Sequence, residues 1–221
     1  MDKTNLPKRF YKQASIASEA SGFSIELDGR PIKTPAKVTL TVPTETLAEA
    51  IAAEWNAQGE RLDLQGMTLT RLANVAIDRT PETRAELADE LSRYAGTDVT
   101  CYLADTPTEL QRRQDAAWKP MRDWVGKRHG VLLVPVVGLI ASPQPDASLE
   151  AVRAYAMSLG SAVLALALEG GKIDAKQALL ASCIDEDWQI EQWGEDDEAK
   201  AVRAGRARDA EALHLWFEAL G

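Results

Sequence analysis

From Asp185 to Glu198 the chain reads DEDWQIEQWGEDDE: eight acids, no base, two tryptophans and one isoleucine. Carboxylates in such a run can move protons as an acid–base pair. They can bind cationic groups on another molecule. They can also form an ordinary solvated helix face. Spacing adds a constraint. Leu179, Cys183, Glu186, Ile190 and Trp193 follow steps of four, three, four and three, which predicts one helical stripe with Glu186 in its middle and Gln189 beside it. A carboxylate inside an apolar stripe is not buried unpaired, because that costs several kcal/mol. It reaches an internal arginine, looks out through a gap in the bundle, or waits for a cation on another protein. Asp185 stands next to it. Trp188 is an interface candidate because charge surrounds it, and tryptophan supplies contact area where proteins meet.

Other constellations are missing from the sequence. It holds no GxSxG elbow, no Walker loop and no GxGxxG. His129 and His214 are the two histidines, and neither has a second His or a Cys at ligand spacing. No metal and no cofactor are expected. An enzyme reading survives only with Glu186 and Asp185 as acid and base and His214 as helper. Cys101 and Cys183 lie 82 residues apart, which suits two buried thiols rather than a disulfide framework. Without a phosphate-binding loop, an assembly role would run without ATP hydrolysis.

Composition excludes further classes. The chain has 221 residues, 45% of them apolar and 27% charged, with a net charge of −9. That acidity disfavours nucleic acid and anionic membrane, which need basic surface. The apolar stretch from Gly130 to Pro145 holds three prolines and is shorter than the ~18–20 residues of a membrane span. No membrane insertion is expected.

The elements that must position the acidic run are legible in outline. Phe23, Ile25 and Leu27 alternate with polar residues, Asp28-Gly29 makes a turn, and Val38, Leu40 and Val42 alternate again. Arg9 to Ala17 offers a further strand. The period changes at Pro43. Thr46 and Glu49 suggest a capping box for a helix carrying Leu47, Ile51 and Trp55, stopped by Gly59. Met67 to Asp78 leans to helix. Thr80-Pro81 opens another, with Leu87, Leu91 and Tyr94 on its stripe. Val99 to Leu103 reads as extended, and so does Val131 to Val137. Thr106 caps a helix with Pro107 first and Glu109 third, running to about Lys127, with a kink or break at Pro120. Ser148 to Glu169 reads as a central apolar helix. Asp174 caps a helix that reaches Trp193, and Gly194 separates it from a last one. The fold class is α+β: a small β-rich domain over residues 1–43, or to about 65 with a later boundary, then a helical bundle domain over 44–221.

Several stretches taken in order resemble one family. They are Arg9-Phe10-Tyr11-Lys12, Leu27 to Pro35, Glu54-Trp55, and Met67 to Thr70 with Asn74 and Asp78. Thr97-Asp98, Cys101-Tyr102, Trp118-Lys119-Pro120 with Trp124, Trp188-Gln189 and Trp193-Gly194 follow. The set is similar to the ATP synthase assembly chaperone that attends the alpha subunit of the catalytic head, known from mitochondria and alphaproteobacteria. The resemblance implies a non-enzymatic chaperone with a β-rich N-terminal domain and a helical C-terminal domain. Such a protein holds the unassembled alpha subunit against aggregation and releases it as the beta subunit takes its place. It also implies that a carboxylate in the segment Asp185 to Gly194 matters, either Asp185 or Glu186, with the stripe favouring Glu186. The expected contact residues are therefore Asp185, Glu186, Trp188, Gln189, Trp193 and Trp55. Mitochondrial members should begin with a transit segment. Met1-Asp2-Lys3-Thr4 does not look like one, so the expectation is a bacterial member acting in the cytoplasm. A third reading is an adaptor that takes an extended peptide along the N-terminal β edge, with Arg30, Lys33 and Lys37 as its basic strip.

Overall fold

The computed structural model describes residues 6–83, 85–86, 97–130, 132–137 and 161–220. Contacts divide the chain into two compact units, Met1–Thr83 with Leu215–Gly221, and Arg84–His214. The expected 1–43 and 44–221 ranges rest on the change of period at Pro43. The contact division lies further along, because the helix that follows Pro43 packs on the sheet.

The first unit is built on strand β2 (Gly22–Leu27). It pairs antiparallel with β1 (Ala14–Glu19), from Ala14 opposite Leu27 to Glu19 opposite Gly22. Along its other edge it pairs with β3 (Arg30–Pro31) and β4 (Thr41–Val42). Asp28 and Gly29 both have positive φ (49° and 76°) between the paired residues Leu27 and Arg30. A type I′ turn needs that sign at both central positions, and Asp-Gly supplies it cheaply. The Asp28 carboxylate also accepts the backbone N–H groups of Lys12 and Gln13, which lash the β1 approach to the turn. Ile25, Leu27, Leu40 and Val42 point into the core, while Val38 is exposed.

Helix α1 (Glu45–Asn56) lays Leu47, Ala48, Ile51, Ala52 and Trp55 on this sheet. Thr44, not Thr46, is its N-cap and accepts the Leu47 N–H. Thr44 wins because its hydroxyl also donates to the Ala219 carbonyl (2.6 Å). Helix α2 (Thr68–Asp78) begins on a carboxylate from α1: Glu54 accepts Leu69 N–H, Thr70 N–H and the Thr70 hydroxyl at 2.7–2.8 Å. Helical backbone continues over 80–83 and 85–86. Leu87, Leu91 and Tyr94 of the next expected stripe lie outside the described residues.

The second unit is helical. A 3-10 turn at Val99–Cys101 leads into β5 (Tyr102–Leu103), which pairs parallel with β6 (Val136–Val137). Helix α3 (Thr108–His129) has Pro107 rather than Thr106 at its N-cap position and ends on Gly130 in the left-handed region. It passes through Pro120 as one helix, so the expected break there does not occur. Helix α4 (Ala162–Glu169) is buried from Ala162 to Leu168. Residues 148–160 of the expected central helix lie outside the described residues. Val125, Val163, Leu166 and Cys101 form a core cluster against which Trp124 packs. Gly170 lies under that ring, and a Cβ there would collide with it. Burial and the nearby Asp98 carboxylate push the Cys101 thiol up to about 11, so it stays protonated and inert.

Asp174 and Gln177 form a full capping box at the start of α5 (Ala175–Ser182). The helix does not run on to Trp193. It breaks at Cys183, and α6 (Ile184–Trp193) begins as a separate helix. Next to the break the Ala181 carbonyl accepts the buried Trp118 indole N–H (2.7 Å), a tertiary partner that local spacing does not reveal. After Gly194 (φ 84°), Asp196 accepts the Ala199 N–H as α7 (Asp197–Leu220) begins. Strands precede a helical region, so the fold class is α+β.

Candidate partner-binding surface

The break at Cys183 divides the expected stripe. Cys183 is buried, Leu179 and Ile190 are half-buried, and Glu186 and Trp193 are exposed. No residue of α6 is buried. The helix is instead gripped by three arginines. From α7, Arg206 donates to Glu186 (2.6 Å), and Arg203 donates to Asp187 and lies 3.9 Å from Glu195. From α3, Arg113 reaches both oxygens of Glu191 (2.7 and 2.9 Å) and stacks on the Trp188 ring, 5.0 Å from its centre. The hydrogen bonds to Glu191 and Glu186 raise the already high pKa values of Arg113 and Arg206, so both guanidiniums stay charged. Of the three fates open to Glu186, the structure shows the internal arginine, at a half-exposed position rather than in a core.

Asp185 faces the other way. Its Oδ1 accepts the side-chain N–H of Gln114 (2.6 Å). Gln189 is exposed, Trp188 is half-buried and Trp193 is 79% exposed. Gln189 and Trp193 form a ridge between two grooves. One, of about 400 Å³, lies between α6 and α7 and is lined by Glu186, Ile190, Val202, Arg203 and Arg206 among others. The second, of about 560 Å³, is lined by Tyr102 to Pro107, Leu110, Gln114, Asp185 and Trp188. The structure thus brings Asp185, Glu186, Trp188, Gln189 and Trp193 onto one helix in one unit.

Trp55 does not join them. It is 9% exposed in the core of the first unit, its carbonyl accepts the Tyr11 hydroxyl (2.6 Å), and its ring meets the Tyr11 ring edge-on. Its expected role as a contact residue is corrected to packing. Arg30, Lys33 and Lys37 are exposed, as solvated hairpin residues are. Sequence reasoning missed Gln114 and the three arginines. Their signal, bases and an amide on neighbouring helices, is visible only once the helices are paired. Among the described residues no group of three or more His, Cys, Asp or Glu could hold a metal ion, and no helix is long and apolar enough to cross a membrane.

Residues 8–126 match the family model described as ATP12 chaperone protein. The chain belongs to the ATP12 chaperone family. This is the ATP synthase assembly chaperone family that its motifs resemble, and a family of chaperones rather than enzymes. The crystal structure of Atp12 from Paracoccus denitrificans is similar at 36% identity and a TM-score of 0.89, covering 97% of this chain and 99% of that one. A solved protein of Agrobacterium tumefaciens is similar at 36% identity and a TM-score of 0.91, covering 98% of this chain and 87% of that one. Mitochondrial protein atp12 of Schizosaccharomyces pombe is 26% identical over 222 residues, 88% of this chain and 76% of its own length.

Proposed function

We infer that this ATP12-family chaperone binds the unassembled alpha subunit of F-type ATP synthase, keeps it from aggregating and yields it to the beta subunit, with no ATP hydrolysis. The observation that carries the reading is the α6 ridge of a chaperone-family chain. It offers a bare tryptophan between two grooves, on a helix with no fully buried residue. A ring subunit without its neighbour exposes apolar surface, and large exposed patches aggregate. Trp193 and Trp188 supply apolar area against such a patch, and the carboxylates around them reject wrong partners. A mixed surface of this kind binds more weakly than an obligate interface, which leaves the beta subunit able to displace it. The identity to bacterial relatives supports action in a bacterial cytoplasm.

The test is co-expression with the alpha subunit of the same organism's ATP synthase. Soluble alpha should rise with this protein, and a tagged chain should pull it from lysate. Glu186→Lys sets a lysine against Arg206 at the base of the ridge and should lose the alpha subunit from the pull-down. Equal aggregation of alpha with and without the chaperone would sink the reading.

A further inference from the structure

The two adjacent carboxylates Asp185 and Glu186 are not equivalent, and the difference is set by what already holds each. Glu186 spends its charge on Arg206. Asp185 has no cation. Its one described partner is the Gln114 amide, on Oδ1, which leaves Oδ2 without a hydrogen bond from any described residue. Gln114 itself is 3% exposed. Its Oε1 accepts the Ala104 backbone N–H (2.7 Å), and that fixes which end of the amide faces which way. The Nε2 must then point at Asp185. A buried amide with both ends engaged is a rigid strut, and here it aims a carboxylate.

The carboxylate stands at the wall of the 560 Å³ groove. Asp105 and Asp185 are the charged residues of that wall, and no Lys, Arg or His lines it. The rest is Tyr102, Leu103, Pro107, Leu110 and the two tryptophans, with small polar groups between them. Trp188 already carries a guanidinium, that of Arg113, so a ring of this wall demonstrably takes an arginine. The Trp193 ring, 79% exposed, has no ring or cation contact among the described residues.

We propose that this groove is a subsite for an arginine side chain flanked by apolar residues on the partner, with Asp185 Oδ2 accepting the guanidinium and Trp193 covering its face. Gln114 is the positioning residue for Asp185. The proposal rests on the chaperone reading above and names the chemistry of the partner segment. Arginine suits the site better than lysine. Its planar fork bonds a carboxylate while its face stacks on an aromatic ring, and it sheds water more readily than an ammonium.

Two arms test it and fail separately. In the first, indole N–H signals of Trp188 and Trp193 are followed by NMR as the full chain is titrated with a short peptide, Leu-Arg-Leu with blocked ends. The control peptide carries citrulline, the neutral isostere, in place of arginine. The arginine peptide should bind about tenfold more tightly and move both indoles. Asp185→Asn should erase the preference. Gln114→Met should lower it without removing the weak binding of the citrulline peptide. Glu211→Gln, an exposed charge elsewhere on α7, should leave the preference intact. Equal binding of both peptides to the natural chain, no binding of either, or an undiminished preference in folded Asp185→Asn, would overturn the proposal. In the second arm the same variants are used to capture the alpha subunit. If the peptide preference holds but the natural chain never retains alpha, the groove stands and the chaperone reading falls. Should Gln114→Met fail to fold, Asp185→Asn decides alone.

Discussion

Glu54 and Glu186 are both helical glutamates next to an aromatic or acidic neighbour in a motif-bearing stretch, and they do opposite things. Glu54, in the first unit, is consumed by the backbone. It accepts three hydrogen bonds that start α2. Glu186, in the second, meets a long side chain, Arg206, with both partners half-exposed. The contrast extends to their surroundings. Around Glu54 the polar groups are joints. Arg9 donates to the carbonyls of Tyr11, Lys12 and Gln58. Asn56 exchanges two hydrogen bonds with Ala14. Asp78 accepts from the Thr34 hydroxyl and the Ala36 N–H. Around Glu186 the charges pair with one another and no residue of the helix is fully buried. Most of the residues that mark the family in the first unit therefore build it. The proposed partner surface instead lies on a helix whose Glu186, Asp187 and Glu191 are held by arginines of neighbouring helices.

The largest test of this contrast compares two tryptophans. Trp55→Ala should empty a core site and cost about 3–5 kcal/mol in urea unfolding. Trp193→Ala should change stability by less than about 0.5 kcal/mol, because the ring already stands in water. It should nonetheless weaken capture of the alpha subunit by about tenfold or more, as removal of an exposed aromatic anchor does. If Trp193→Ala were as destabilising as Trp55→Ala, the ridge would be part of a core and the contrast would collapse.

A second comparison sets Asp98 against Asp187. Asp98 is buried and accepts from Thr100 N–H, the Thr100 and Ser161 hydroxyls and Val163 N–H, so it ties the turn before β5 to the start of α4. Removing it orphans buried donors, and Asp98→Ala should cost about 3 kcal/mol or more. Asp187 is partly exposed and pairs with Arg203. Asp187→Ala should cost about 1 kcal/mol or less, in the range of exposed ion pairs. Denaturant midpoints of the two variants separate the cases directly.

Salt sharpens the comparison further. At about 1 M salt the screening length falls to about 3 Å, and exposed pairs weaken while apolar burial does not. Hydrogen exchange of α6 should then speed up a few-fold relative to low salt, and that of α1 should not. Unchanged protection of α6 would show that the arginine pairs do not hold it.

The sequence made much of this readable, and where it did not the cause is specific. The period-two run and Asp28-Gly29 marked the sheet because both signals are local, one set by side-chain alternation and the other by φ. The cap of α5 was legible for the same reason: Asp174 and Gln177 act within one turn. Thr46 reads as the cap from local spacing, whereas Thr44 takes the role, and its hydroxyl also reaches the Ala219 carbonyl, 175 residues away. The break at Cys183 was invisible because no Gly or Pro marks it, and the Trp118 indole that bonds the Ala181 carbonyl beside it comes from another helix. That break undid the apolar stripe, and with it the argument that preferred Glu186 to Asp185. Trp55 was readable on one stripe with Leu47 and Ile51, but its expected contact role was not, because a tryptophan at a helix end packs or projects according to what lies over it.

The smallest expected effect concerns pH, and it separates a joint from a surface charge without disturbing packing. The Asp28 carboxyl lies below the usual carboxylate range, chiefly because Gln13 and Lys12 donate backbone N–H groups to it. A carboxyl that ionises more readily folded than unfolded adds stability above its ordinary pKa. That contribution is lost as pH falls through the folded value. Asn at position 28 keeps the acceptor oxygen and tolerates the positive φ of 49°, so the turn survives the exchange. Asp28→Asn should therefore be less stable than the natural chain near neutral pH, and the gap should narrow steadily below about pH 4. The comparison is made on denaturant midpoints measured between acid and neutral pH. A gap independent of pH would assign the loss to geometry rather than to the charge, and would remove Asp28 from the set of ionised joints that distinguishes the first unit.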